Sequence, residues 1–352
     1  MRVARDLHRL PKADLHLHFT GSMRATTLLE LAAANRVRLP DALTGPTPPK
    51  LRTTDERGWF RFQRLYDIAR SVVRTADDVR RIVVEAAQDD AADGARWLEL
   101  QVDPSGYPGF GGITAFLELV LDAARQASAA TGVGIGIVVA ANRTRHPLDA
   151  RTLARLAARY AERGVVGFGL SNDERRGNAA DFMPAFRIAR GAGLLSVPHG
   201  GELLGAASVI TCVESLGANR VGHGVRAVED PRVLARLAEA GIVCEVCPSS
   251  NVSLGVVEGP KALPLRQLRA AGVPVALGAD DPLLFGARLT DQYRIAREVH
   301  EFTDAELAEL ARCSIDGSAA PETLKREARE GIAQWLCSPT NSVPPAQVRH
   351  RG

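Results

Sequence analysis

The sequence is poor in cysteine, lysine and aromatic residues. Its 352 residues include five cysteines and four lysines, and aromatic side chains account for 5%. An odd, irregularly spaced set of cysteines argues against a secreted disulfide framework and is typical of a reducing compartment. The C-x-x-C pair, Cys244 and Cys247, lies in an apolar run without a second pair. We therefore interpret both as core residues rather than as a zinc or redox site.

Long apolar runs and an excess of one charge are also missing. No apolar run reaches the roughly 18 residues that span a bilayer, and the first residues show no secretory leader pattern. The formal net charge is +3, and the arginines are scattered along helical stretches rather than gathered with aromatic residues in a basic block. We expect a cytoplasmic protein that binds neither membrane nor nucleic acid. Nothing in the pattern specifies an oligomeric state.

Short β-rich runs alternate with helical patterns along the chain. The eight runs are Ala13–His18, Trp97–Val102, Val133–Ala140, Val165–Leu170, Leu194–His199, Arg220–His223, Ile242–Cys247 and Val273–Gly278. Several helical segments end at a glycine directly before the next run, which is the usual stop signal before a buried parallel strand. Eight strands alternating with helices predict an α/β fold, a (β/α)8 TIM barrel, rather than a doubly wound sheet.

Two segments lie outside this repeating pattern. Residues 24–73, between the first two strands, hold more than one crossover helix, including an aromatic helix around Phe62. That helix could be a packing helix or an apolar lid, since insertions after the first strand lie at the catalytic face of a barrel. Residues 338–352 are rich in proline and polar residues and predict a flexible tail. We expect a single barrel domain over residues 1–337.

Polar residues follow the predicted strands at their carboxyl ends. They are His16 and His18 in D-L-H-L-H, His199 in S-V-P-H-G-G-E, His223 in R-V-G-H-G, and Asp280 and Asp281 in A-D-D-P. The carboxyl ends of barrel strands converge on one mouth, where polar residues usually serve catalysis. Burying this many imidazoles and carboxylates without an ion would carry a large desolvation cost. The sequence therefore predicts a metal site.

The donor types narrow the choice of metal. Nitrogen and oxygen donors without a thiolate suit zinc, although iron or cobalt would also fit. A second metal in such barrels is commonly bridged by a carboxylated lysine at the end of the fourth strand, and none of the four lysines lies there. We therefore expect one zinc ion per chain, with a coordination position left for water.

Taken together, these motifs resemble the adenosine deaminase family. H-L-H-x-x-G, H-G-G-E, G-H-G and A-D-D-P occur in that family's order and spacing, along with W-F-R-F-Q-R-L-Y-D and C-P-S-S-N, and the similarity runs from about Leu10 to Leu336. The resemblance implies hydrolytic deamination of a purine nucleoside at C6, with release of ammonia. Attack at C6 breaks the aromaticity of the ring, so an acid that protonates N1 would assist it.

The resemblance also implies a role for individual residues. His16, His18, His199 and Asp280 would hold zinc, Glu202 would protonate N1, His223 would orient and stabilise the attacking hydroxide, and Asp281 would bind N7. The residues expected to contact the substrate are His18, Thr20, Phe62, Asn172, Arg175, Gly201 and Asp281.

Departures from the family pattern bear on the substrate. Thr20 stands where adenosine deaminases usually have an aspartate for the 5′-hydroxyl and adenine deaminases a glutamate, and Asn172 stands where the family has a glycine. Threonine removes the charge, so an adenosine with a replaced or extended 5′ oxygen should be accepted. An acidic extension could be reached by Arg24, Arg175 or Arg176, because arginine suits carboxylates.

The substrate alternatives stay open at this point. The combination resembles the branch of the family that deaminates 6-aminodeoxyfutalosine in menaquinone biosynthesis. Adenosine or 2′-deoxyadenosine is the next candidate, followed by another amide or amine on the same barrel. A binding protein that only retains the fold is disfavoured because no metal ligand is missing and Glu202 is present.

Overall fold

The computed structural model describes residues 4–45, 47–49, 51–53 and 55–339, and its centre is a parallel barrel. The strands are β1 Lys12–His18, β2 Ala95–Val102, β3 Gly134–Asn142, β4 Val165–Ser171, β5 Leu195–Gly200, β6 Arg220–His223, β7 Val243–Val246 and β8 Val275–Leu277. Each strand pairs in parallel with the next. The chain after β8 returns to β1, where the His18 N–H donates to the Asp280 carbonyl oxygen at 3.0 Å. The predicted (β/α)8 barrel is confirmed.

Helices surround this barrel. The α-helices are α1 Ala25–Ala34, α2 Asp41–Thr44, α3 Glu56–Ser71, α4 Ala76–Ala92, α5 Ile113–Thr131, α6 Pro147–Arg159, α7 Met183–Gly191, α8 Ala206–Glu214, α9 Pro231–Ala240, α10 Pro248–Ser253, α11 Leu265–Ala270, α12 Pro282–Phe285, α13 Leu289–Glu298, α14 Asp304–Gly317 and α15 Glu322–Cys337. Short 3-10 turns occupy Leu7–Arg9, Pro104–Gly106, Pro108–Phe110, Ala161–Arg163, Ala179–Phe182, Val225–Glu229 and Pro260–Ala262. No helix among the described residues is long and apolar enough to cross a membrane.

Local sequence signals explain where these elements begin and end. Thr75 opens α4 with a capping box, in which its side chain accepts from the Asp78 N–H while the Asp78 carboxylate accepts from the Thr75 N–H. The sixth helix begins at Pro147, because proline at the first helical position is already set to the helical φ. Gly241 ends α9 in the left-handed conformation, with φ of 62°.

The strands are buried on both faces, as parallel barrel strands are. Cys244 lies inside β7 and Cys247 directly follows it. They are 0% and 1% exposed, which confirms that they are core residues.

The insertion after β1 consists of α1, α2 and α3. Positions 46 and 50 of the proline-rich loop Gly45–Lys50 lie outside the described residues, as does the tail from 340 onward. The single-domain boundary at 337 and the flexible tail therefore stay predictions.

Candidate active site

Four side chains from three parts of the barrel meet at its carboxyl end. His18 Nε2 lies 3.3 Å from His199 Nε2 and 3.4 Å from an Asp280 carboxylate oxygen. His16 Nε2 lies 3.9 Å from the same carboxylate oxygen. In two overlapping groups, His16 with His18 and His199, and His16 with His223 and Asp280, the possible ligand atoms lie within 4.8 Å of one another. The structure thus brings together the four residues that the family resemblance implies as metal ligands.

The chemistry of this donor set fits a metal ion. His16 Nε2 and His199 Nδ1 are buried and have no hydrogen-bond partner among the residues described. Burial lowers the pKa of His18 and of His223 to about 3 and that of His199 well below its usual value. The pKa of His16 is raised instead, because Glu245 and Asp280 outweigh the effect of its burial. Neutral imidazoles are the form that binds a metal, and a partnerless buried ring nitrogen is costly unless an ion satisfies it.

A buried chain of alternating charges supports His16 from behind. Glu245 on β7 accepts from His16 Nδ1 at 2.8 Å and from Arg220 Nε at 2.6 Å. Arg220 also pairs with Glu99 on β2, and all of these side chains are 1% exposed or less. A carboxylate on Nδ1 fixes the ring so that Nε2 faces the metal position, as is usual for metal-binding histidines.

Glu202 follows β5 and lies beside His223. One Glu202 carboxyl oxygen is 3.6 Å from His223 Nε2, and the residue is 4% exposed. Burial, with smaller contributions from Asp280 and Glu174, raises the pKa of Glu202 well above its usual value. A carboxyl group held in its protonated form beside a metal site can act as a general acid.

Glu174 holds the backbone that carries Glu202. One of its carboxylate oxygens accepts from the N–H groups of Glu202 at 2.9 Å, Leu203 at 2.5 Å and Leu204 at 2.8 Å. The other accepts from the Ser208 hydroxyl at 2.8 Å. This carboxylate fixes the turn after β5, and with it the direction of the Glu202 side chain.

Backbone geometry also marks the site. His223, Asp280 and Asn172 have φ values of 61°, 62° and 82°, in the left-handed region that is rare for residues other than glycine. Such strained positions concentrate at functional sites. Gly222 lies so close to His16 that an added Cβ would be 2.8 Å from His16 Cε1.

One cavity of about 760 Å³, counting its open mouth, lies at this site. Its wall contains His18, Phe19, Thr20, Trp59, Phe62, Gln63, Tyr66, Arg70, Gln101, Asp103, Tyr107, Ala140, Asn142, Ser171, Asn172, His199, Glu202, His223, Leu254, Asp280 and Asp281. Helix α3 therefore supplies part of the wall, where the lid interpretation puts it. Asn172 ties that helix to the barrel: its amide oxygen accepts from Trp59 Nε1 at 3.1 Å and its amide N–H donates to Gln63 at 3.0 Å.

Two of the predicted substrate contacts, Gly201 and Arg175, are not among the residues that line this cavity. Gly201 is packed against Val209. The Arg175 guanidinium pairs with Asp173 at 2.8 Å and donates to the Thr53 carbonyl oxygen at 2.9 Å.

The other two arginines considered for an acidic extension are also placed elsewhere. Arg24 pairs with Asp89 at 2.7 Å, and Arg176 lies 5.6 Å from the Phe60 ring. Among the described residues, the arginine in the cavity wall is Arg70, whose guanidinium carbon lies 5.1 Å from the Tyr66 ring and 5.9 Å from the Tyr107 ring.

Sequence reasoning missed the residues that support the site. Glu245, Arg220 and Glu99 are charged positions inside strand runs that are otherwise mostly apolar, as in C-E-V-C and W-L-E-L. A charged residue in a strand buried on both faces needs a partner, so this interruption was the available signal. Glu174 and Gln101 offered no comparable signal, since they lie near strand ends where polar residues are common.

Comparison with known proteins agrees with this geometry. A model of the adenosine deaminase family matches residues 11–335. A protein of Streptomyces virginiae named "Putative adenosine/adenine deaminase" is 65% identical, over 96% of this chain and 99% of the relative. Two further relatives come from Streptomyces coelicolor. One carries the same name and is 64% identical over 96% and 99%, and an aminodeoxyfutalosine deaminase is 35% identical over 96% and 89%.

Solved structures show the same fold. The adenine deaminase of Arthrobacter aurescens is 28% identical with a TM-score of 0.85, over 93% of this chain and 99% of that one. An amidohydrolase of Burkholderia ambifaria with bound zinc is 25% identical with a TM-score of 0.81, over 94% and 92%. With a family match across nearly the whole barrel and a His/Asp cluster fit for a metal, the chain belongs to the adenosine deaminase family of metal-dependent hydrolytic aminohydrolases.

Proposed function

We propose that the protein is a zinc-dependent deaminase of 6-aminopurine nucleosides. The observation that carries this proposal is the pairing of two features in one cavity: a donor set fit for a metal, and a buried acid, Glu202, whose pKa is raised. Zinc is supported by the donor types and by the zinc bound in the Burkholderia amidohydrolase. His16, His18, His199 and Asp280 would hold the ion, which supplies an activated water when bound.

The remaining residues would act on the purine itself. The water oxygen adds to C6, the bond from C6 to the amino nitrogen breaks, ammonia leaves, and the product has an oxo group at C6. Glu202 would deliver the proton to N1. Burial, together with Asp280 and Glu202, raises the pKa of Asp281, so its protonated carboxyl would donate to N7, which accepts. His223, 3.6 Å from Glu202, would orient the attacking water.

The favoured substrates are adenosines with a modified 5′ end. The Thr20 hydroxyl shares a 2.5 Å hydrogen bond with the Tyr107 hydroxyl, so position 20 itself presents a neutral hydroxyl rather than a carboxylate. Arg70 lies beside Tyr107 and could bind an acidic substituent.

Within this class of 5′-modified adenosines, one candidate substrate is 6-aminodeoxyfutalosine. The Streptomyces coelicolor relative named for it is 35% identical, whereas another protein of that organism is 64% identical. This difference favours a different member of the class.

The test measures kcat/KM for adenosine, 5′-deoxyadenosine, 5′-methylthioadenosine and 6-aminodeoxyfutalosine by ammonia release. We expect a 5′-modified compound to exceed adenosine. Adenosine itself is the second candidate, supported by the names of the more similar relatives. If adenosine exceeds every 5′-modified compound by tenfold, the argument from Thr20 is wrong. Absence of ammonia release from all four, with zinc bound, would overturn the deaminase proposal.

A further inference from the structure

One buried side chain in the cavity wall has no partner and no part in the chemistry described above. Gln101, on β2, is 2% exposed and lines the cavity. Neither its amide oxygen nor its amide nitrogen has a hydrogen-bond partner within the described chain. A buried amide left unpaired is costly, so such a group is retained where a bound molecule satisfies it.

The position of Gln101 relative to the chemistry follows from strand order. Its Cα pairs in register with that of His18, so it lies one strand from β1. The groups for N1 and N7, Glu202 and Asp281, follow β5 and β8. If C6 of the purine lies at the metal and the ring contacts Glu202 and Asp281, the rest of the substrate extends toward the β2 side of the barrel.

The character of the wall changes between these two sides. The side of β5 to β8 presents His199, Glu202, His223, Asp280 and Asp281. Apart from the proposed metal ligand His18, the carboxyl ends of β1 to β4 mainly present neutral polar groups: Thr20, Gln101, Asn142, Ser171 and Asn172. The charged exceptions on this side are Asp103 and, from α3, Arg70. Asp103 is already engaged, because one of its oxygens accepts from the Ser105 N–H and hydroxyl. Neutral amides and hydroxyls suit a sugar.

We infer that Gln101 binds the sugar of the nucleoside and determines specificity for it. Its amide N–H donates to a sugar oxygen and its amide oxygen accepts from a sugar hydroxyl. A hydroxyl is both donor and acceptor, so a ribose can satisfy both ends of the amide, whereas a free adenine base leaves the amide unpaired. This inference rests on the proposed function and adds to it that the enzyme selects nucleosides over free bases through Gln101.

The test compares the parent with Gln101→Met, which keeps the length of the side chain and removes both polar atoms. For each protein, kcat/KM is measured for adenosine, its 2′- and 3′-deoxy derivatives, and adenine. A site built to bind a hydroxyl rejects the analogue that lacks it, so the parent should prefer adenosine over at least one deoxy compound by about 10- to 100-fold. In Gln101→Met, kcat/KM for adenosine should exceed that for the same deoxy compound by no more than about threefold, because the amide that binds the hydroxyl is absent.

Thermal unfolding separates a role in binding from a structural one. Without ligand, Gln101→Met should unfold at a higher temperature than the parent, because it removes an unpaired buried amide. The matched control is Gln292→Met, at a fully buried glutamine whose amide oxygen accepts from the Ser249 N–H and whose amide N–H donates to the Arg288 carbonyl oxygen. This control should unfold at a lower temperature and keep the parent's preferences.

Each outcome has a defined meaning. An active parent whose preferences are unchanged in Gln101→Met overturns the role of Gln101 and leaves the proposed function standing. A lower unfolding temperature for unliganded Gln101→Met also counts against it, since a structural amide would behave like Gln292. A parent that deaminates none of these compounds overturns the proposed function, and the sugar assignment fails with it.

Discussion

The hydrogen bond from His16 to Glu245 predicts that Glu245→Gln weakens metal binding. The carboxylate accepts two short bonds, from His16 Nδ1 at 2.8 Å and from Arg220 Nε at 2.6 Å, at 1% exposure. Glutamine has nearly the same shape but no charge, and its amide can no longer accept from both. Loss of a carboxylate that supports a metal-binding histidine typically costs about 10- to 100-fold in metal affinity. We expect a decrease in that range.

Glu99→Gln is the matched control for this experiment. Glu99 pairs with the same guanidinium but does not contact His16. Each variant leaves Arg220 with one carboxylate, so each should lose less stability than the 3–5 kcal/mol typical of an uncompensated buried charge, roughly below 3 kcal/mol. The two variants should therefore be similar in stability without metal and differ in metal affinity.

The assay is zinc competition with a chromophoric chelator, combined with thermal unfolding of the metal-free and zinc-loaded proteins. Zinc should raise the unfolding temperature of Glu99→Gln more than that of Glu245→Gln, because stabilisation by a ligand follows its affinity. Equal zinc affinities in the two variants would refute the reasoning, since they would show that the charge chain supports the fold and not the metal site.

Four further predictions follow from the geometry. Glu202→Gln should keep its zinc and lose about 10²- to 10⁴-fold in kcat, since it cannot deliver a proton; a loss under tenfold would exclude Glu202 as the donor. His199→Ala should lose metal and activity together, measured by elemental analysis and ammonia release, because ligand loss lowers affinity directly; full zinc occupancy would remove His199 from the ligand set. Glu174→Ala removes the acceptor of three N–H groups in the turn that carries Glu202 and should lower kcat more than it raises KM. An unchanged kcat would show that this turn keeps its conformation without the Glu174 carboxylate. Burial lowers the pKa of Lys12 to about 7, so above pH 7 the unfolded chain binds more protons than the folded one. The free energy of unfolding of the parent, relative to that of Lys12→Met, should therefore rise by about 1.4 kcal/mol per pH unit from pH 7 toward 10. Denaturant titrations at pH 7 and 9 that show no such rise would contradict a lowered pKa.

Much of this molecule was predictable because its local signals agree with one another. The strand β6 has the bounds that the sequence predicts for it, Arg220–His223, and the cluster of possible metal ligands follows from the convergence of strand ends. The exact partners of long side chains were not predictable. Arg175 forms a salt bridge with Asp173, two residues away, whereas Arg70, on the inserted helix α3, lines the cavity. Which arginine is free depends on contacts between distant segments that no local pattern encodes.

The two hydrogen bonds between Asn172 and helix α3 bear on the rate at which a ligand could enter or leave the cavity. Any movement of α3 away from the barrel must break both hydrogen bonds of this one amide at the same time. At about 0.5–1.5 kcal/mol each, the two bonds together slow opening by roughly 5- to 150-fold relative to an untied helix. Release of product is often the slow step in enzymes that close over their substrates. The residence time of a bound ligand would thus depend in part on a single residue in the turn after β4.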